Sequence, residues 1–102
     1  MMETRVLQML RRNGLPQPER QYKIFENGRF VARVDFAYPH WKIVLEYESY
    51  RHHTGRIASE RDNPRRNALV ALHWKPIGIT AQDIRSGGQR VAAAIRAAAR
   101  HP

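Results

Sequence analysis

Cysteine is absent from the 102 residues, which excludes disulfide staples, thiolate zinc sites and cysteine nucleophiles together. No hydrophobic run approaches the length of a membrane span, and no apolar stretch behind Met1 reads as a signal peptide. The expectation is a soluble, cytoplasmic domain with no membrane partner. Acids are scarce: nine Asp and Glu face 18 Lys and Arg, a formal net charge of +9. A chain so unbalanced repels itself and attracts polyanions, so nucleic acid is the default partner. Fifteen of the basic residues are Arg, and residues 91–100 are mostly Ala and Arg. A GC-rich genome enriches both types, but that bias does not explain so few acids. With 42% hydrophobic residues the chain suffices for a single core and is too short for two, so 1–102 reads as a single domain.

Val6, Leu7 and Leu10 lie at helical spacing, and Asn13-Gly14 with Pro16 is a stop signal, which predicts a helix over 3–13. Pro16 and Pro18 stiffen the next segment. Residues 21–25 alternate polar and apolar as a half-buried strand does. Asn27-Gly28 is a strong hairpin signal, because a type I′ turn needs positive φ at both positions. The returning strand, 29–38, alternates Phe30, Ala32, Val34 and Phe36 against Val31, Arg33, Asp35 and Ala37. Pro39-His40 reverses the chain into a third strand over 41–47, and 50–56 reads as a basic loop. Asn63-Pro64 opens a helix buried through Ala68, Leu69 and Leu72, and 75–79 is a fourth strand. Thr80-Ala81-Gln82-Asp83 fits a capping box, and after Ser86-Gly87-Gly88 a last helix restarts near Gln89. The predicted order is α-β-β-β-α-β-α, an α/β fold.

Three of the nine acids, Asp35, Glu46 and Glu48, fall in segments read as strands, where carboxylates are normally depleted. A two-residue turn at Pro39-His40 pairs Tyr38 with Trp41 and sets Asp35 opposite Val44. Glu46 is then the diagonal neighbour of Asp35, roughly 7–8 Å away at Cα, and Glu48 lies two residues further along the same face. Like charges gather only around a metal ion, a shared proton or a basic shell. Mg²⁺ is the simplest resident, since it prefers carboxylates, water and phosphate oxygens. The other reading is a row of solvent-facing acids paired with Arg33 or Lys42. The residues alone leave both readings open, and a one-residue slip in register separates Asp35 from Glu46.

Asp35-Phe36, Leu45-Glu46-Tyr47-Glu48, His52-His53, Arg61-Asp62, Leu69, Trp74, Thr80 and Asp83 together form a series similar to one known family. It resembles the PD-(D/E)XK nuclease superfamily, in particular small domains related to the very-short-patch-repair endonucleases found in actinobacterial and phage proteins. The resemblance covers about residues 15–84, with the C-terminal helix over 89–100 beyond it. It implies a restriction-endonuclease-like α-β-β-β-α-β core with a mixed central sheet of about four strands flanked by helices. By that resemblance Asp35 is the aspartate of the PD element, Glu46 is the acid of (D/E)XK and Glu48 stands at the lysine position. Relatives often carry an acid there in a Glu-Tyr-Asp-Gly run, whereas this chain has Glu48-Ser49. His52 matches a histidine that follows the strand in relatives. Gly78 stands where relatives often have arginine, and Pro64 falls within a helix usually continuous in them.

The expected activity is metal-dependent hydrolysis of DNA phosphodiester bonds. Asp35, Glu46 and Glu48 would hold Mg²⁺ or Mn²⁺, and His52 would orient or deprotonate the water. Arg51, His53, Arg56, Arg61, Arg65 and Arg66 would grip the backbone beside the scissile phosphate. The alternatives are a catalytically silent DNA-binding or toxin–antitoxin module with the same fold, and a basic RNA- or ribosome-associated protein. A junction-resolving nuclease would require a homodimer with two sites.

Overall fold

The structure, a computed structural model, describes residues 2–48 and 63–101. Helix α1 (Met2–Arg12) turns Val6, Met9 and Leu10 inward, the i, i+3, i+4 spacing of one helix face. It ends where Gly14 takes φ 77°, which allows the Leu15 N–H to reach back to the Leu10 carbonyl at 3.0 Å. Strands β1 (Glu19–Glu26) and β2 (Arg29–Tyr38) form an antiparallel hairpin. Asn27 and Gly28 at its tip take φ 51° and 81°, as a type I′ turn demands.

The connection to β3 (Ile43–Tyr47) corrects the expected turn. Pro39–Trp41 forms a 3₁₀ turn, with proline's fixed φ at its start, and Lys42 closes it in the left-handed region at φ 59°. Its N–H bonds the Pro39 carbonyl at 3.0 Å. The connection therefore takes four residues, and Tyr38 pairs with Ile43, Ala37 with Val44 and Phe36 with Leu45. The third strand begins at Ile43, and the register moves by two residues from the expected one. An even shift keeps every side chain on its face.

Helix α2 (Pro64–Ala71) starts at Asn63, whose side-chain oxygen accepts from the N–H groups of Arg65 and Arg66 at 2.9 and 3.1 Å. It returns the chain to β4 (Lys75–Ile79), which runs parallel to β3 with Glu46 beside Gly78. The sheet order is β1-β2-β3-β4. A short helix α3 (Ala81–Arg85) opens on the expected capping box of Thr80 and Asp83, and α4 (Gln89–Ala99) follows. The result is a mixed α/β fold with a four-stranded mixed sheet flanked by helices, as the sequence predicts.

Two apolar clusters lie on the two faces of the sheet. Val6, Leu10, Phe36, Tyr38, Ile43, Leu45, Ile79, Val91 and Ile95 form the first, between the sheet and helices α1 and α4. Ile24, Ala32, Val34, Ala37, Val44, Leu69 and Trp74 form the second, under α2. The simple alternation predicted for β2 fails at two places. Val34 and Ala37 belong to the second cluster and Phe36 to the first, so the alternation changes phase around Asp35. The register also shifts between Ile24 and Phe25, and Phe30 stands exposed rather than inside. Trp41 packs half-buried against the first cluster beside Tyr38, with ring centroids 5.0 Å apart, and Trp74 is buried in the second.

Candidate functional site

The β2–β3 ladder ends at the pair Phe36 and Leu45. Just past it, the Asp35 side chain reaches β3 and its charge is felt by the Arg65 guanidinium. Leu45 faces the first cluster, so Glu46 points to the other side, towards α2, where Arg65 also feels the Asp35 charge. The Asp35 carboxylate accepts from the Tyr47 N–H at 3.1 Å. It thus supplies, from a side chain, an acceptor at the point where the paired strands part.

Helix α2 delivers the countercharge. Arg65 Nη1 donates to Glu46 Oε1 at 2.5 Å, and Nη2 donates to the Arg33 carbonyl. The hydrogen bond to Glu46 is the largest influence holding this guanidinium in its charged form; partial burial opposes it, and the charges of Glu46 and Asp35 add to it. Two carboxylates from neighbouring strands therefore share the field of one cation. The side chains of Arg65 and Glu46 are 41% and 29% exposed, so the ion pair is partly wet and contributes on the order of 1 kcal/mol at most.

Glu48 sits over Gly78, the β4 residue paired with Glu46. Its N–H donates to the Ile79 carbonyl at 2.8 Å, which extends the pairing of β3 with β4 past Tyr47. Its carboxyl occupies the space above Gly78: a Cβ at that position would lie 2.0 Å from Glu48 Oε2. The nearby Arg90 feels the Glu48 charge. Arg90 itself grips Asp83 with two donors, Nε to Oδ1 at 2.7 Å and Nη2 to Oδ2 at 2.6 Å, and Nη2 also reaches the Gly78 carbonyl at 3.0 Å. The Arg90 bonds, with help from Thr80 and against the cost of burial, pull Asp83 down to about 2.

Of the sequence-predicted site residues, the structure brings Asp35, Glu46 and Arg65 together, sets Glu48 beside Gly78, and leaves Arg66 exposed on α2. Arg51, His52, His53, Arg56 and Arg61 lie outside the described residues. Among the described residues no group of three or more His, Asp and Glu is arranged to hold a metal ion.

No protein-family profile matches the chain, and no solved structure is significantly similar to it. It is similar to two proteins of Mycobacterium tuberculosis, one from strain CDC 1551 / Oshkosh and one from strain ATCC 25618 / H37Rv, each named an uncharacterized protein. Each is 42% identical over 89 residues, which is 87% of this chain and 32% of the relative. The chain thus spans about a third of the length of the curated relatives it matches.

Two features of the site escaped the sequence reading. Gly78 was legible only as a departure from a family pattern, yet its lack of a side chain makes the room that the Glu48 carboxyl fills. Arg90 carried no local signal, because its partners lie seven and twelve residues away, on α3 and β4.

Proposed function

We propose that the chain is a nuclease-like domain of the PD-(D/E)XK type that hydrolyses DNA with a divalent metal ion, acting in the cytoplasm. The observation that carries the reading is that the Glu46 and Asp35 carboxylates both act on one cation, Arg65, in a chain of net charge +9. The donor set is all oxygen, which suits Mg²⁺ or Mn²⁺.

Asp35 and Glu46 would hold the ion, with Glu48 the third acid within the same sheet end. When bound, the metal stabilises charge on the phosphoryl oxygens and lowers the pKa of water. The chain's own residues do the rest. Asp35 is oriented by the Tyr47 N–H, and Arg65 pairs with Glu46 where the ion would sit. His52 is the proposed base, and Arg51, Arg56, Arg61 and Arg66 are the proposed phosphate contacts.

The second reading, a silent nucleic-acid-binding module, is favoured by the engagement of Glu46 with Arg65 and by Glu48 lying on Gly78. Cleavage of labelled duplex DNA with Mg²⁺ or Mn²⁺ separates the two. Wild type is expected to cleave, and Asp35→Asn and Glu46→Gln to abolish cleavage while retaining binding. Asn keeps an acceptor for the Tyr47 N–H, so loss of activity then reports charge rather than folding. Binding without cleavage in either metal supports the silent module; equal cleavage by wild type and both variants sinks the nuclease assignment to these residues.

A further inference from the structure

The β1–β2 hairpin is covered on one side only. Ile24 and Ala32, paired across the strands, are buried in the cluster under α2. On the other side Lys23 and Arg33 are directly opposite one another, and both are exposed. Like charges in that position repel across a sheet, so nothing in the hairpin itself favours the pairing. Next to them Phe25 and Phe30 are also cross-strand partners, 56% and 59% exposed, with ring centroids 5.8 Å apart and planes at 76°. Arg29 follows at the turn, opposite Glu26. Two exposed aromatic rings in edge-to-face contact leave ring faces in water, at the tip of an outer strand pair.

Aromatic faces interleaved with cations are the combination that single-stranded nucleic acid uses: bases stack on the rings and phosphates meet the charges. An apolar protein partner would gain from the phenylalanines but would have to bury Lys23 against Arg33 without countercharge. A polyanion supplies that countercharge directly, and a duplex, whose bases are already stacked, gains little from the rings. We infer that this hairpin face, Lys23, Phe25, Phe30 and Arg33, binds a single-stranded stretch of nucleic acid, with Phe25 and Phe30 as the stacking platform. The inference rests on the nucleic-acid reading above and adds a strand preference and a surface separate from the carboxylate pair.

Fluorescence anisotropy on labelled oligo(dT) and on a duplex of equal length tests it, using wild type, Phe25→Ser/Phe30→Ser and Lys23→Gln/Arg33→Gln. All four side chains are exposed, so thermal melts of the variants should match wild type. The serine variant should lose about tenfold or more in affinity for oligo(dT) per base stacked and change little on the duplex. The glutamine variant should weaken oligo(dT) binding and flatten its salt dependence. Unchanged oligo(dT) binding by the serine variant overturns the inference while leaving the nucleic-acid reading intact. Equal losses on both substrates overturn the strand preference. A serine variant whose only change is a smaller sedimenting mass identifies the occupant as a second copy and overturns it too. Failure of wild type to bind either substrate removes this inference and the nucleic-acid reading together.

Discussion

Asp83, itself buried, combines a helix cap with an ion pair to an exposed arginine, and its chemistry makes a defined statement about pH. Oδ2 accepts from the N–H and hydroxyl of Thr80 at 2.8 and 2.9 Å while Arg90 clamps both oxygens. A carboxyl held at about 2, below its ordinary value of 3.8, binds its proton less readily in the folded chain than in the unfolded one. Its contribution is therefore complete above about pH 4 and is lost as pH falls through about 2. Because the Arg90 side chain is 61% exposed, solvent screens the pair, and roughly 1–2 kcal/mol is the expected scale. Asp83→Asn should cost that much in denaturant titrations at pH 7, and the gap to wild type should shrink towards pH 2. A constant gap would mean that lost packing, not lost charge, sets the cost. Gly78 makes a different prediction. An added methyl would meet the end of the Glu48 side chain, which can swing away, so Gly78→Ala should change stability by less than about 1 kcal/mol. It should nevertheless move the Glu48 carboxyl and alter any metal-dependent cleavage. A loss of several kcal/mol on melting would show that Glu48 is wedged in place.

At the level of elements, the decisive relation is the one between α2 and the β2–β3 strand pair. Asn63 caps the helix and Leu69 anchors it, which fixes Arg65 over Glu46. Removing the guanidinium takes away the cation whose charge both Asp35 and Glu46 feel, and like charges close together on a sheet cost about 0.2–1 kcal/mol. Arg65→Ala should therefore melt earlier than wild type in EDTA and gain more from Mn²⁺, since a ligand that binds only the folded state stabilises it with rising concentration. The double variant Arg65→Ala/Glu46→Gln should gain nothing. Equal Mn²⁺ responses in wild type and Arg65→Ala would mean that arginine and metal do not compete. Much of this framework was legible in the sequence because its signals are local. Asn27-Gly28, Asn63-Pro64 and Thr80 to Asp83 each specify a turn or a cap within a few residues, and each forms as read. The β2–β3 register was not legible, because it depends on Lys42 adopting a left-handed conformation that its residue type does not announce. Because the shift is even, the paired residues from Phe36 to Tyr38 and from Ile43 to Leu45 keep the relative faces expected of them. The change of phase around Asp35, with Gln21 at φ 48° between the pairs Arg20–Phe36 and Tyr22–Val34, had no sequence signal either. The sequence makes Arg65 a phosphate contact; its position over Glu46 depends on how α2 docks, which no spacing within the helix reveals.

Over the whole molecule the governing quantity is the charge of +9. Of the cations discussed, Arg65 and Arg90 are engaged with acids, whereas Arg66, Lys23 and Arg33 stand exposed. Among the described residues, exposed cations therefore extend along the hairpin. Two consequences follow for binding. Affinity for unrelated duplexes should fall linearly on a log–log plot against salt, each neutralised phosphate contributing a slope of about −0.9. Changing an exposed cation such as Arg66 should reduce that slope by about one phosphate, because its charge is free to meet the backbone. Changing Arg65 should leave the slope nearly unaltered, since its charge is already spent on Glu46 and Asp35; loss of the guanidinium also uncovers two anions that repel the strand. Arg65→Ala should thus weaken binding by a roughly constant factor at low salt without the slope change seen for Arg66→Ala. Titrations of both variants from 50 to 200 mM salt, a range over which six to ten phosphate contacts change affinity by about 10³–10⁵-fold, resolve the difference. A slope that drops equally for the two variants would make Arg65 a phosphate contact after all, and the ion pair with Glu46 a resting state that DNA displaces.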